Sequence, residues 1–115
     1  MAIMAAAIVG CGDPKYQPPA IVVTFSNVFP PPTALETNAT AGIAAIVTND
    51  NANGGVRFTC VPAGACGTFS PNPIASNVPT TYQAPPTIPE GGKVSITATS
   101  ITDSAKSVSA TITIE

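Results

Sequence analysis

From residue 20 onward, hydrophobic and polar positions fall in short runs separated by clusters of Pro, Gly, Asn, Ser and Asp. Such a pattern predicts strands and turns rather than helices. Residues 21–26 (IVVTFS) predict a first strand, which Phe29-Pro30-Pro31-Pro32 interrupts because proline cannot donate to a ladder. Residues 40–48 (TAGIAAIVT) predict a second, with Ala41, Ile43, Ala45 and Val47 on one face, although their alanines also suit a helix. The stretch 49–55 (NDNANGG) is a turn by composition. Residues 56–60 (VRFTC) alternate, Val56, Phe58 and Cys60 facing one way and Arg57 and Thr59 the other. Short strands at 68–69 and 80–83 lie among prolines. Residues 93–100 turn Val94, Ile96 and Ala98 inward, and residues 107–114 do the same with Val108, Ala110, Ile112 and Ile114. Thr102-Asp103-Ser104-Ala105 joins these last two as a hairpin. About seven strands with regular turn signals predict an all-β antiparallel sandwich.

The chain has 115 residues and 11.5 kDa, room for one core and one domain, placed at 20–115. Charged residues make up 9%, against about 25% in an ordinary soluble domain, so Thr, Ser, Asn and Pro supply the surface. Net charge is −2. Lys15, Arg57, Lys93 and Lys106 are scattered, which argues against both nucleic-acid binding and a polybasic membrane patch. With no His and no Trp, the usual general base, the usual zinc ligand and any Ser-His-Asp arrangement are missing from the sequence. Asp13, Glu36, Asp50, Glu90 and Asp103 fall mostly in predicted loops and suggest no paired-carboxylate site. The expectation is a non-enzymatic protein without a cofactor.

Residues 2–9 (AIMAAAIV) are too short an apolar run to span a membrane as a helix. Ile8-Val9-Gly10-Cys11 resembles the lipobox of bacterial lipoproteins. That resemblance implies a diacylglycerol on Cys11, which would become the mature N-terminus of an exported, envelope-anchored protein at the outer membrane or cell surface. Residues 1–10 are then a truncated signal segment: no Lys or Arg precedes the apolar run, so the start is expected upstream of Met1. Residues 11–19 form a Pro-rich tether, its eight residues after Cys11 reaching about 25 Å if extended at ~3.1 Å each. The alternative is an apolar tail with an incidental cysteine. Three cysteines leave one over. Acylating Cys11 would leave Cys60 and Cys66, whose spacing suits a disulfide across a turn and lacks the two-residue gap of a redox pair.

The order Gly55-Val56-Arg57-Phe58-Thr59-Cys60, then Gly64-Ala65-Cys66-Gly67-Thr68-Phe69-Ser70-Pro71, then Thr81-Tyr82-Gln83-Ala84-Pro85 and Ile88-Pro89-Glu90-Gly91-Gly92 resembles the bacterial Ig-like (Big-type) modules of secreted and surface proteins. The resemblance covers residues 20–115 and implies an Ig-like sandwich with a structural or adhesive role. Such modules usually carry Trp where Phe58 stands as the central core aromatic, and they often occur in tandem, whereas a single copy is present here. Two other readings stay open. One is a subunit of an extracellular fibre that pairs through its N-terminal segment or an edge strand; the other is a small carbohydrate- or ion-binding module. For the latter, Asn49, Asn51, Asn53 and Gly54 echo the alternating oxygen ligands of a calcium loop, with Asp50 as a further weak candidate. However, Asp50 is its only acid, stands at the wrong parity and has no bidentate Glu twelve residues on, so a turn is the plainer reading. Beyond the lipid anchor, the partners in view are a protein or glycan surface, or further copies of the chain.

Overall fold

The computed structural model describes residues 19–115, which form nine strand segments. In chain order these are β1 (Val22–Phe25), β2 (Ala34–Leu35), β3 (Thr40–Ile43), β4 (Ala45–Thr48), β5 (Val56–Val61), β6 (Thr68–Ser70), β7 (Thr80–Gln83), β8 (Lys93–Ser100) and β9 (Ser107–Ile114). A single 3₁₀ turn, Glu90–Gly92, leads into β8.

The two cleanest alternations pair with each other. β8 and β9 are antiparallel from Thr99↔Ser107 to Lys93↔Thr113, and β5 lies on the other side of β8 from Val56↔Ser100 to Val61↔Ser95. β2 joins the far edge of β9 in parallel, through Thr113↔Ala34 and Ile114↔Leu35. The second layer contains β1 on β4 and β3 on β7 on β6, all antiparallel. β3 and β4 are one strand interrupted at Ala44, which ties the two ladders into a layer ordered β1, β3/β4, β7, β6. Loop residues continue it beside β4, where the Asn77 N–H donates to the Ala45 carbonyl at 2.7 Å and the Val47 N–H to Ser76 Oγ at 2.8 Å.

These two layers have the ABED and CFG strand orders of a constant-type Ig domain, with the first strand divided between them. The nine segments therefore trace seven Ig strands, and the fold is an Ig-like β-sandwich. Two details differ from the sequence-based expectation. β2 was not foreseen, and residues 40–48 are not one uninterrupted strand. At the interruption Ile43, Ala44 and Ala45 are buried in succession. The Ala44 N–H donates to the Phe29 carbonyl at 3.0 Å, and the Ala44 carbonyl accepts the Ser26 N–H at 2.9 Å. A residue pinned by the segment following β1 leaves the regular ladder, while Ile43, Ala45 and Val47 keep the shared core side across it.

Between the layers lie Ile43, Ala45, Tyr82 and Val23 from one side, and Val56, Phe58, Val94, Ile96, Ala98, Ile112 and Ile114 from the other. Full burial of each Val, Ile or Phe stabilises by about 1.5–3 kcal/mol relative to exposure. The buried polar residues Ser26, Thr80 and Ser100 are all satisfied locally. Ser26 Oγ accepts the Val28 and Phe29 N–H groups, Thr80 donates to the Pro71 carbonyl, and Ser100 Oγ accepts the Asp103 N–H.

Candidate functional site

The outer face of the β5–β8–β9 sheet carries the most regular chemistry of the surface. Because side chains alternate, every residue that does not enter the core on these strands shares this face. The register arranges them in rows: Arg57, Thr99 and Ser107; then Thr59, Thr97 and Ser109; then Val61, Ser95 and Thr111; and finally Lys93 beside Thr113. The central row is linked by a 2.8 Å hydrogen bond between the Thr97 and Ser109 hydroxyls. The result is a hydroxyl lattice with about 4.8 Å between strands and about 6.7 Å along them. Single cations, Arg57 and Lys93, stand toward opposite ends. At the Lys93 end, Val61, Pro62, Glu90, Lys93, Ser95 and Thr111 edge a shallow, open depression of about 460 Å³. This face can offer hydrogen bonds to a polar partner.

Of the residues that the sequence singles out, Cys60 and Cys66 are joined by a disulfide, with Cα atoms 5.9 Å apart. The bond closes the loop that carries β5 over to β6. Phe58 is buried and stacks on Phe69, ring centroids 5.3 Å apart, and Phe69 in turn meets Tyr82 at 5.0 Å. In antibody domains a Trp on this strand packs on an inter-sheet disulfide; here a ladder of three smaller aromatics fills that space. The Tyr82 hydroxyl donates to the Cys66 carbonyl at 2.6 Å, so the aromatic ladder and the disulfide loop are one unit. Burial holds the Tyr82 phenol above its ordinary pKa.

The 49–55 loop is built around Asp50. Its two carboxylate oxygens accept the Ala52 and Gly54 N–H groups at 3.1 and 3.0 Å, and its carbonyl accepts the Asn53 N–H. Asn49 and Asn53 adopt left-handed backbone conformations, and the Asn49 amide donates to the Ala20 carbonyl. The one acid of the calcium-like sequence is thus engaged in holding its own turn, and no group of three His, Cys, Asp or Glu residues converges among the described residues. Cys11, the signal-like segment and the tether up to residue 18 lie outside the described residues.

Two features escaped the sequence reading. Asn72 imitates a strand: its amide accepts the Phe58 N–H at 2.9 Å and donates to the Phe58 carbonyl at 2.8 Å, while Ile74 exchanges two backbone bonds with Val56. The outer edge of β5 is covered in this way. An Asn beside prolines signals only a turn, so its cross-strand role was not legible. The second is the edge of β9. Thr113 and Glu115 donate toward β2, which sets the odd-numbered residues facing that side. Ser107, Ser109 and Thr111 face the same edge, and among the described residues no strand pairs with it there. Comparison with protein-family models, curated proteins and solved structures finds no match to the chain.

Proposed function

We propose that this chain is a non-enzymatic Ig-like module of the bacterial cell envelope, exported, lipid-anchored through Cys11, and acting through its surface in a structural or adhesive role. The observation that carries the reading is the outer β5–β8–β9 face, three strands of aligned hydroxyls with few charges. A face of this kind suits many weak polar contacts with a hydrated protein or glycan surface. The Cys60–Cys66 disulfide fits an oxidising compartment. Mass spectrometry of the N-terminal peptide from membrane fractions tests the anchor. A thioether-linked diacylglycerol on Cys11 is the expected result, and an intact, soluble chain with an unmodified Cys11 would remove the anchor from this reading.

Self-assembly is a second reading, favoured by the β9 edge at Ser107, Ser109 and Thr111, which no strand pairs with among the described residues although β1 packs close to it. Unpaired strand edges template pairing with another chain, and this one carries neither charge nor proline within those residues. Size-exclusion chromatography of the native material separates the two readings: a monodisperse monomer that retains its N-terminus contradicts assembly.

A further inference from the structure

Asn38, Ala39 and Thr40 form the one Asn-X-Ser/Thr triplet among the seven asparagines of the chain. Such a triplet is an acceptor for N-linked sugar only when it is displayed on a surface. The fold displays it. Residues 36–39 make a tight turn between β2 and β3, closed by the Ala39 N–H on the Glu36 carbonyl at 3.1 Å. Asn38 occupies its third position at φ 65°, a left-handed conformation that asparagine tolerates. Glu36, Asn38 and Thr40 are all exposed.

The backbone of this turn is well held, and the side chain of Asn38 is not. The Asn38 N–H donates to the Pro85 carbonyl, the Thr37 N–H to the Glu115 carbonyl and the Ala84 N–H to the Ala39 carbonyl. Among the described residues the Asn38 side-chain amide makes no hydrogen bond, whereas the amides of Asn49 and Asn72 are committed to backbone carbonyls. Asn38 therefore has a presented nitrogen on a fixed support, the Thr40 hydroxyl two residues on, and the Glu36 carboxylate two residues before as an anionic handle.

We propose that Asn38 is an N-glycosylation site, the acceptor for an oligosaccharide delivered from a lipid-pyrophosphate donor by a membrane oligosaccharyltransferase. In the transfer, Asn38 Nδ2 bonds to the anomeric carbon of the donor sugar. The bond from that carbon to the phosphate oxygen breaks, the lipid pyrophosphate leaves with the electron pair, and one amide proton passes to a base of the transferase. The turn also lies at the far end of the sandwich from Ala20, beside Pro85 and Glu115.

The site acts in the cell only if the chain is exported, and to that extent it rests on the envelope reading. The test separates the two, because it uses the purified, folded full chain with a bacterial oligosaccharyltransferase and a lipid-pyrophosphate-linked oligosaccharide. Intact mass and peptide mapping are expected to show one glycan on the peptide holding Asn38. Asn38→Gln and Thr40→Val abolish it, Thr40→Ser retains it, and Glu36→Gln slows it several-fold. Transfer to a short synthetic peptide of residues 34–42 but not to the folded chain overturns the proposal, as does failure of both. An unchanged rate in Glu36→Gln removes the handle from it. The state of Cys11 has no bearing on any of these results.

Discussion

Tyr82 is the residue on which the disulfide loop and the core meet, and its hydroxyl has a measurable role on each side. Replacing it with Phe keeps the stacking on Phe69 but leaves the Cys66 carbonyl without its donor. A buried hydrogen bond lost from one partner costs about 1–3 kcal/mol, and urea unfolding of Tyr82→Phe is expected to report a loss in that range. The same burial sets a pH dependence. An unperturbed phenol titrates near pH 10, and desolvation moves Tyr82 above its ordinary value. Above about pH 10 the unfolded chain releases this proton while the folded one retains it. The contribution of Tyr82 is thus complete below the unfolded pKa and is lost as pH rises through the folded one. In Tyr16→Phe, which leaves one tyrosine, ultraviolet titration of the folded protein should show phenolate forming at higher pH than in urea. Asp50 offers a simpler case: Asp50→Ala releases the Ala52 and Gly54 N–H groups and is expected to cost about 1 kcal/mol.

Among the elements, the β5-to-β6 connection is the most constrained. Gly67 sits at φ 98°, and a Cβ there would run into the Gln83 carbonyl and the Tyr82 ring. Gly67→Ala is expected to destabilise by about 2–4 kcal/mol, well beyond a propensity effect, by the strain of the backbone and the displaced β7. Opening the neighbouring disulfide with a Cys60→Ser, Cys66→Ser double variant is expected to cost about 2.4 kcal/mol in the chain-entropy estimate for so small a loop. Thermal or urea melts read both. Strands whose environment is uniform along their length were legible in advance: Lys93–Ser100 and Ser107–Ile114 have one core face and one solvent face throughout. β2 was not, since a two-residue parallel contact has no periodicity to detect. Nor was the interruption at Ala44, which depends on where the segment after β1 crosses. Phe58 was identifiable as core from its strand alone, but its partners Phe69 and Tyr82 lie on the opposing layer, and only the packing of the layers brings them together. The hydroxyl face was half legible. Alternation placed its residues outward, whereas their alignment in rows comes from inter-strand register.

The whole molecule has two distinct ends, and a lipid on Cys11 would make them unequal. Ala20 enters beside Asn49, so the N-terminal end gathers the 49–55 loop and the 101–106 hairpin turn, where Gly54 lies against Thr102. The opposite end gathers the 36–39 turn, Pro85 and Glu115. An eight-residue strand separates them by about 26 Å at ~3.3 Å per residue, comparable to the ~25 Å reach of an extended tether. A domain held at one end by a tether no longer than itself keeps that end nearer the membrane on average. For the acylated protein in vesicles, a donor dye on Ser104→Cys should transfer energy to acceptor-labelled headgroups more efficiently than the same dye on Thr87→Cys, which follows Pro85 at the far end. Both positions are exposed, so labelling leaves the core intact. Equal transfer from the two sites would mean that the tether imposes no orientation and that the far-end turn has no privileged access to the surroundings. Unequal transfer in the expected sense would direct the 36–39 turn away from the bilayer and leave the β5–β8–β9 face upright along its side, where neighbouring molecules can meet it.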